Sequence, residues 1–202
     1  MFKVALLIDG GYIRTAATRA GKGYTPDFIE AFALSCIEEQ EETLHRILYY
    51  DCPLYRGQQA KPISGEIVQF EASDSWLDDL ASRNLFAVRK GTLTFRGWTL
   101  KKIRNRGRDL KDDDFKPHFV QKGVDMRIGL DIATICAERR FDRILLVSGD
   151  TDLIPALKHA RRASVQVVAI QLPAPFASTL SSQLLAHIDY KRSVSLPNAL
   201  SG

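Results

Sequence analysis

The chain of 202 residues carries a formal net charge of +4, with 45% hydrophobic and 26% charged residues, which suits one domain with a sizeable core and excludes a disordered polyelectrolyte. The mildly basic balance permits a polyanionic partner without requiring one. Cys36, Cys52 and Cys136 are odd in number and match neither zinc nor disulfide spacing, so they read as reduced core thiols of a cytoplasmic protein. The short apolar run of "MFKVALLIDGGY" is not followed by a cleavage site, and no stretch approaches the roughly 20 apolar residues of a membrane span, so no membrane role is expected.

In chain order, "KVALLI" (3–8) predicts a buried first strand, and Gly10-Gly11 a tight turn into a helix over 12–19. Thr25-Pro26-Asp27 predicts a helix capped by Thr25, with Pro26 at its first position, running to about Glu42. "LHRILYY" (44–50) reads as a second strand, 51–65 as a polar loop, 64–83 as a helix and "NLFAVRK" (84–90) as a third strand. "GTLTFRGWTLKKIR" alternates around a glycine and predicts a hairpin within an insertion spanning about 91–117. A helix over 124–140, a strand over 143–147, a helix over 153–162 and a strand over 165–170 complete the alternation. The expected fold is α/β: a doubly wound, mostly parallel sheet with helices on both faces and a basic hairpin insertion. One domain covers 1–172, and 173–202 forms a C-terminal extension, with a helix near 178–187, packing back on it.

The apolar run Ile144–Val147 stops at "SGDTD", placing Asp150 and Asp152 at the carboxyl edge of a buried parallel strand, where open α/β sheets bind ligands. Asp9 ends the first strand in the same way. A single acid there is usually a turn or cap residue, but a cap needs one carboxylate and this edge gathers several. In a projection at about 100° per residue, Asp125 falls inside the apolar stripe of Ile128, Ile132 and Cys136, where an unpartnered carboxylate is costly. Asp131 falls beside Arg127, Thr134 and Glu138 and reads as solvated. Aspartates without His or Cys companions suit Mg2+ or Mn2+, and the chemistry of such a site is phosphodiester cleavage.

"LLIDGGY" (6–12), "YYDCP" (49–53), "KGVDMRIGLD" (122–131) and "LLVSGDTDLIP" (145–155) resemble, in order and spacing, the LabA-like type of NYN domain within the PIN-like nuclease superfamily, over about residues 2–172. The resemblance implies a Rossmann-like PIN fold and a metal-dependent ribonuclease, endonucleolytic in action, whose catalytic and metal-binding acids match Asp9, Asp125, Asp150 and Asp152. It also has an acid matching Asp131, which the projection ranks as structural or one step removed from the metal. Gly11 departs from the pattern, since many members carry Asn there. The alternative is a non-catalytic RNA-binding or scaffold protein that keeps the fold. Acid-pair phosphatases, receiver domains and dinucleotide-binding folds lack their required motifs here.

The insertion is basic. From Arg89 to Arg108 there are eight Lys or Arg residues and no acid, with Phe95 and Trp98 interleaved. Arg96, Lys101, Lys102, Arg104 and Arg106 would meet the phosphates of single-stranded or structured RNA, and Trp98 would stack a base. Lys122 and Lys158, read as nearer the acids, would touch phosphate as well. Were the insertion only a solvated hairpin, the substrate would instead be sought along Arg139, Arg140, Arg161 and Arg162. A homo-oligomer is compatible with the sequence.

Overall fold

Val4 to Ile8 are fully buried, and their strand, β1 (Phe2–Asp9), lies inside a six-stranded parallel sheet. The computed structural model describes residues 1–102 and 108–197. Along β1, Val4, Leu6 and Ile8 enter one apolar core while Ala5 and Leu7 enter the other, as the two-residue period of a strand demands. The first core is covered by α1 (Gly10–Arg19), α2 (Pro26–Ser35) and α3 (Ser75–Ser82), and the second by α4 (Val124–Glu138) and α5 (Ile154–Arg162).

On one side of β1 lie β2 (Glu42–Asp51) and then β5 (Phe86–Lys90). On the other side lie β8 (Arg143–Val147), β9 (Gln166–Gln171) and β10 (Tyr190–Ser193). Every pairing in this sheet is parallel. The chain winds outward from β1 in one direction and resumes at β8 in the other, so the topological switch lies between β1 and β8. Ligand crevices of open α/β sheets form at that place, beyond the carboxyl ends of the strands.

Several expected elements differ. α2 keeps its predicted start, with the Thr25 hydroxyl accepting from the Phe28 amide at 3.2 Å, but it stops at Ser35. Glu42 begins β2 instead, because its carboxylate is held by Arg143 and Arg192 at the base of the sheet. Of the helix expected over 64–83 only α3 forms. Ile67, Val68 and Phe70 suit a strand better, and β4 (Ile67–Phe70) pairs antiparallel with β3 (Gly57–Ala60), inside the expected loop. The turn between them is fixed by the Lys61 ammonium on Glu66 at 2.5 Å and by Gly65 at φ +74°.

The insertion is a hairpin, longer than expected, formed by β6 (Thr92–Leu100) and β7 (Phe115–Lys122). Tyr55, Phe70, Phe95, Trp98 and Phe119 join it to the β3–β4 hairpin through ring contacts of 5.4 to 6.3 Å. Among the described residues of the C-terminal segment only α6 (Ser182–Leu185) is helical, and β10 then extends the main sheet beside β9. No helix among the described residues is long and apolar enough to cross a membrane.

Candidate active site

At the switch point a cleft of about 450 Å³ opens, lined by Asp9, Gly11, Tyr12, Arg14, Gln121, Asp125 and Asp150 among others. Its acids come from the end of β1, the first turn of α4 and the segment after β8. Asp9 does cap α1, accepting from the Tyr12 amide at 3.1 Å. Its other oxygen accepts from the Ser148 hydroxyl at 3.2 Å. Ser148 is fully buried and also accepts from the Asp150 amide at 3.2 Å, so one hydroxyl ties the two strand ends together. Asp150 accepts from the Asp152 amide at 2.8 Å, which starts a short 3-10 turn leading into α5.

Asp125 is exposed at the cleft, whereas the projection expected it within the apolar stripe; the buried positions of α4 are Val124, Ile128, Ile132, Ile135 and Cys136. In the first turn the side chain projects past the end of the core. Partial burial, followed by the charges of Asp150 and Asp152, raises its pKa above the usual carboxylate value. Burial raises that of Asp9 too, against the hydrogen bonds from Tyr12 and Ser148, and Asp125 adds to the rise. Asp152 is exposed at the rim. Among the described residues none of these four acids forms an ion pair with Lys, Arg or His.

The cation in the cleft belongs to another acid. Arg14 is paired with Asp51, the last residue of β2, whose side chain is 0% exposed. Asp51 also accepts from the Tyr49 hydroxyl at 3.0 Å, the Cys52 amide at 2.7 Å and the Gln121 amide group at 3.2 Å. Tyr49 in turn shares a hydrogen bond with Tyr24. A Cβ on Gly10 would come within 2.6 Å of the Asp51 carboxylate, so a glycine is needed where α1 crosses this network. A Cβ on Gly11 would lie 3.0 Å from the Gln121 side-chain oxygen, and its lack leaves room for that group in the cleft.

Arg14, Asp51, Gln121 and Ser148 escaped the sequence reading because their partners lie far away in the chain. The quoted "YYDCP" held the one signal, a third acid at a strand end.

Other expected contacts fall elsewhere. Asp131 is not solvated: it accepts from the Tyr50 hydroxyl at 2.9 Å and from Arg89 at 3.0 Å, outside the cleft. Lys158 lies midway along α5 and lines a separate cleft with Arg161, Arg162 and Gln166, so the expectation that it sits near the acids is corrected. Lys122 is exposed at the end of β7, close in sequence to Asp125.

Trp98 donates its indole N–H to the Ala60 carbonyl at 2.8 Å and packs on Phe70 and Phe95, which makes it an anchor between the hairpins. Four of the six described residues of the basic run are engaged, with Arg89 on Asp131, Lys90 on Asp78, Arg108 on Asp114 and Lys101 on the Asp113 carbonyl. Arg96 and Lys102 are exposed, and Arg104 and Arg106 lie outside the described residues.

Among the described residues no three His, Cys, Asp or Glu side chains are grouped closely enough to enclose a metal. The donors still fit a hard dication, because Mg2+ and Mn2+ bind through one or two carboxylates and keep several waters. The Tyr12 hydroxyl, which is buried and has no hydrogen-bond partner among the described residues, adds a polar group to the cleft wall.

A parallel α/β domain with unneutralised acids at its switch point is the architecture of the PIN-like nucleases. The sequence matches the NYN domain over residues 3–190, and the chain belongs to that family, which lies within the PIN-like nuclease superfamily. Membership implies a nuclease-type hydrolase with RNA as its substrate, of a kind that generally depends on a divalent metal.

A crystal structure of a protein of unknown function, VPA0982 from Vibrio parahaemolyticus RIMD 2210633, has a similar fold. Its TM-score is 0.53 at 18% identity, covering 95% of this chain and 92% of that one. No curated protein matches the sequence significantly.

Proposed function

We propose that the protein is a Mg2+- or Mn2+-dependent endoribonuclease that cuts RNA at the cleft between β1 and β8. One observation carries this reading: the carboxylates of Asp9, Asp125 and Asp150, from three separate segments, line one cleft with no ion-pair partner among the described residues. Crowded carboxylates of this kind call for a cation. One or two of Asp9, Asp125 and Asp150 would hold the ion directly and the rest through its waters, with Asp152 at the rim. A bound dication polarises the phosphodiester and lowers the pKa of an attacking water.

The chain's own groups then position the strand. Arg14 is 33% exposed and fixed at the cleft wall by Asp51, where its free N–H groups would meet a non-bridging phosphate oxygen. The Tyr12 hydroxyl would donate to phosphate or to water. Ser148 keeps the two strand ends in register. Asp131 serves structure, and Arg96, Lys102 and Lys122 would guide the strand from outside.

The test is incubation of labelled mixed-sequence RNA with either metal, beside an Asp150→Asn control and excess chelator. Internal cuts that need both the metal and Asp150 are expected. Equal cutting in the control or in chelator sinks the reading, and RNA binding without any cleavage favours the scaffold alternative.

A further inference from the structure

Two adjoining clefts open at the opposite, amino-terminal edge of the sheet. One, of about 530 Å³, is lined by Lys158, Arg161 and Arg162, and the other, of about 590 Å³, by Phe2, Arg139, Phe141 and Arg162. Arg162, Ser164, Val165 and Gln166 are common to both, so the two form a continuous groove.

The strands β1, β8 and β9 begin at this edge, and α4 and α5 end there. Arg161 is paired with Asp189, and Asp142 accepts from the Lys3 amide at 2.7 Å. Arg139, Lys158 and Arg162 are exposed and have no ion pair among the described residues. Complementing two helix dipoles accounts for a base at each helix end, not for a groove with three unpaired cations.

The groove also offers rings. Phe2 is 40% exposed and Phe141 is half-buried, both in the part lined by Arg139 and Arg162. One face of Phe2 is covered by the Arg143 guanidinium at 4.0 Å and Phe141 meets His45 edge-on, so each ring has one side left for a base. Cations beside such rings form the usual surface for a single-stranded nucleic acid, where the charges follow the backbone and the rings stack bases.

We infer that this edge is a second RNA-binding surface, gripping the strand at a distance from the acid cleft; the inference rests on the reading that RNA is the substrate. β1 runs between the two edges and spans about 26 Å at roughly 3.3 Å per residue, so only a long strand reaches both. α4 and α5 run side by side from the acids to these bases and mark the path, with Gly129 facing Ala156.

The test is equilibrium binding of fluorescent single-stranded RNA in Mg2+ on an Asp150→Asn background, so that the acid cleft can keep a cation while cleavage is suppressed. Strands of about 4 and about 16 nucleotides, near the limits of single-strand footprints, are compared. The variant carries Arg139→Gln, Lys158→Gln and Arg162→Gln, and Lys158→Glu is run alone as a minimal change at one exposed position. For the long strand the triple variant should lose about tenfold in affinity, and its slope of log K against log salt should fall by about 2, at roughly 0.7 per phosphate contact. Lys158→Glu should weaken the long strand too. The short strand, which cannot span both edges, should lose less.

Unchanged long-strand affinity and salt slope in both variants overturn the inference, as does equal weakening of the short strand. Binding to vesicles of anionic lipid, lost in the triple variant while long-strand RNA binding persists, would assign the groove to a membrane surface and also overturn it. A parallel cleavage assay with metal separates the two readings. Absent cleavage with length-dependent binding intact counts against the nuclease reading alone.

Discussion

Both ends of the central sheet concentrate charge, but they treat it in opposite ways. At the amino-terminal end Glu42 is buried and accepts from Arg143 and Arg192, and the Glu38 amide donates to it at 2.9 Å. Burial would push its pKa up, yet these hydrogen bonds outweigh that and hold it below the usual value. At the carboxyl end Asp9 and Asp125 are raised, because burial and neighbouring acids act without a facing cation. Asp51 repeats the lesson within a single edge: it ends the strand next to β1, but Arg14 and three other donors saturate it. A charge whose partners are all present stabilises the fold. One left without them is available for chemistry.

The most direct way to break this contrast is to neutralise the unpartnered acids. Asp9→Asn, Asp125→Asn and Asp150→Asn should each lower cleavage at saturating metal by about 10²–10³-fold, the scale for losing one transition-state charge contact. Thermal melts of the metal-free variants should match or exceed the parent, since each change relieves repulsion. Full activity in any one of them removes that acid from the site.

At the other end Glu42→Gln should destabilise by about 3–5 kcal/mol, measured by urea unfolding, because two guanidinium groups lose their buried anion. The pH dependence follows with its sign. A depressed carboxylate contributes stability that is present above the unfolded value, about 4.3 for Glu, and is lost as pH falls through the lower folded value. The parent should therefore lose stability in that acid window, and Glu42→Gln should lose less. An identical acid profile would mean that Glu42 is not held as described.

Smaller effects sharpen the picture. Asp131→Asn should cost about 1–2 kcal/mol of stability, as Tyr50 and Arg89 lose a charged acceptor, and should reduce cleavage less than Asp125→Asn does. The reverse ranking in cleavage would place Asp131 at the chemistry. Trp98→Phe should cost about 1 kcal/mol through the lost bond to Ala60, with RNA affinity nearly unchanged; a large loss of affinity would restore Trp98 as a base platform.

The parts legible in the sequence were those set by near neighbours. The buried runs of β1 and β8, the Thr25 cap and the switch-point acids announce themselves within a few residues. Glu42 reads locally as the end of a helix because its partners, Arg143 and Arg192, lie on β8 and β10, far along the chain. Lys158 looked close to Asp152 in sequence, but a helix carries a residue about 1.5 Å along its axis per position, and α5 leads away from the acid edge. The basic run holds no acid of its own, and its neutralising partners, Asp131 for Arg89 and Asp78 for Lys90, lie outside it.

The parallel pairing of β1 with β8 joins Val4 to Arg143 and Ile8 to Val147. During synthesis the first strand emerges long before its partner, and its exposed side must wait while β2 and β5 assemble on the other. Long-range parallel pairing of this kind is slow, since the loop must close before contacts reward it. Asp9 and Asp150 therefore come together only once β8 has docked. A growing chain that ends before β8 therefore lacks Asp150 and Asp152, two of the four candidate acids at this edge.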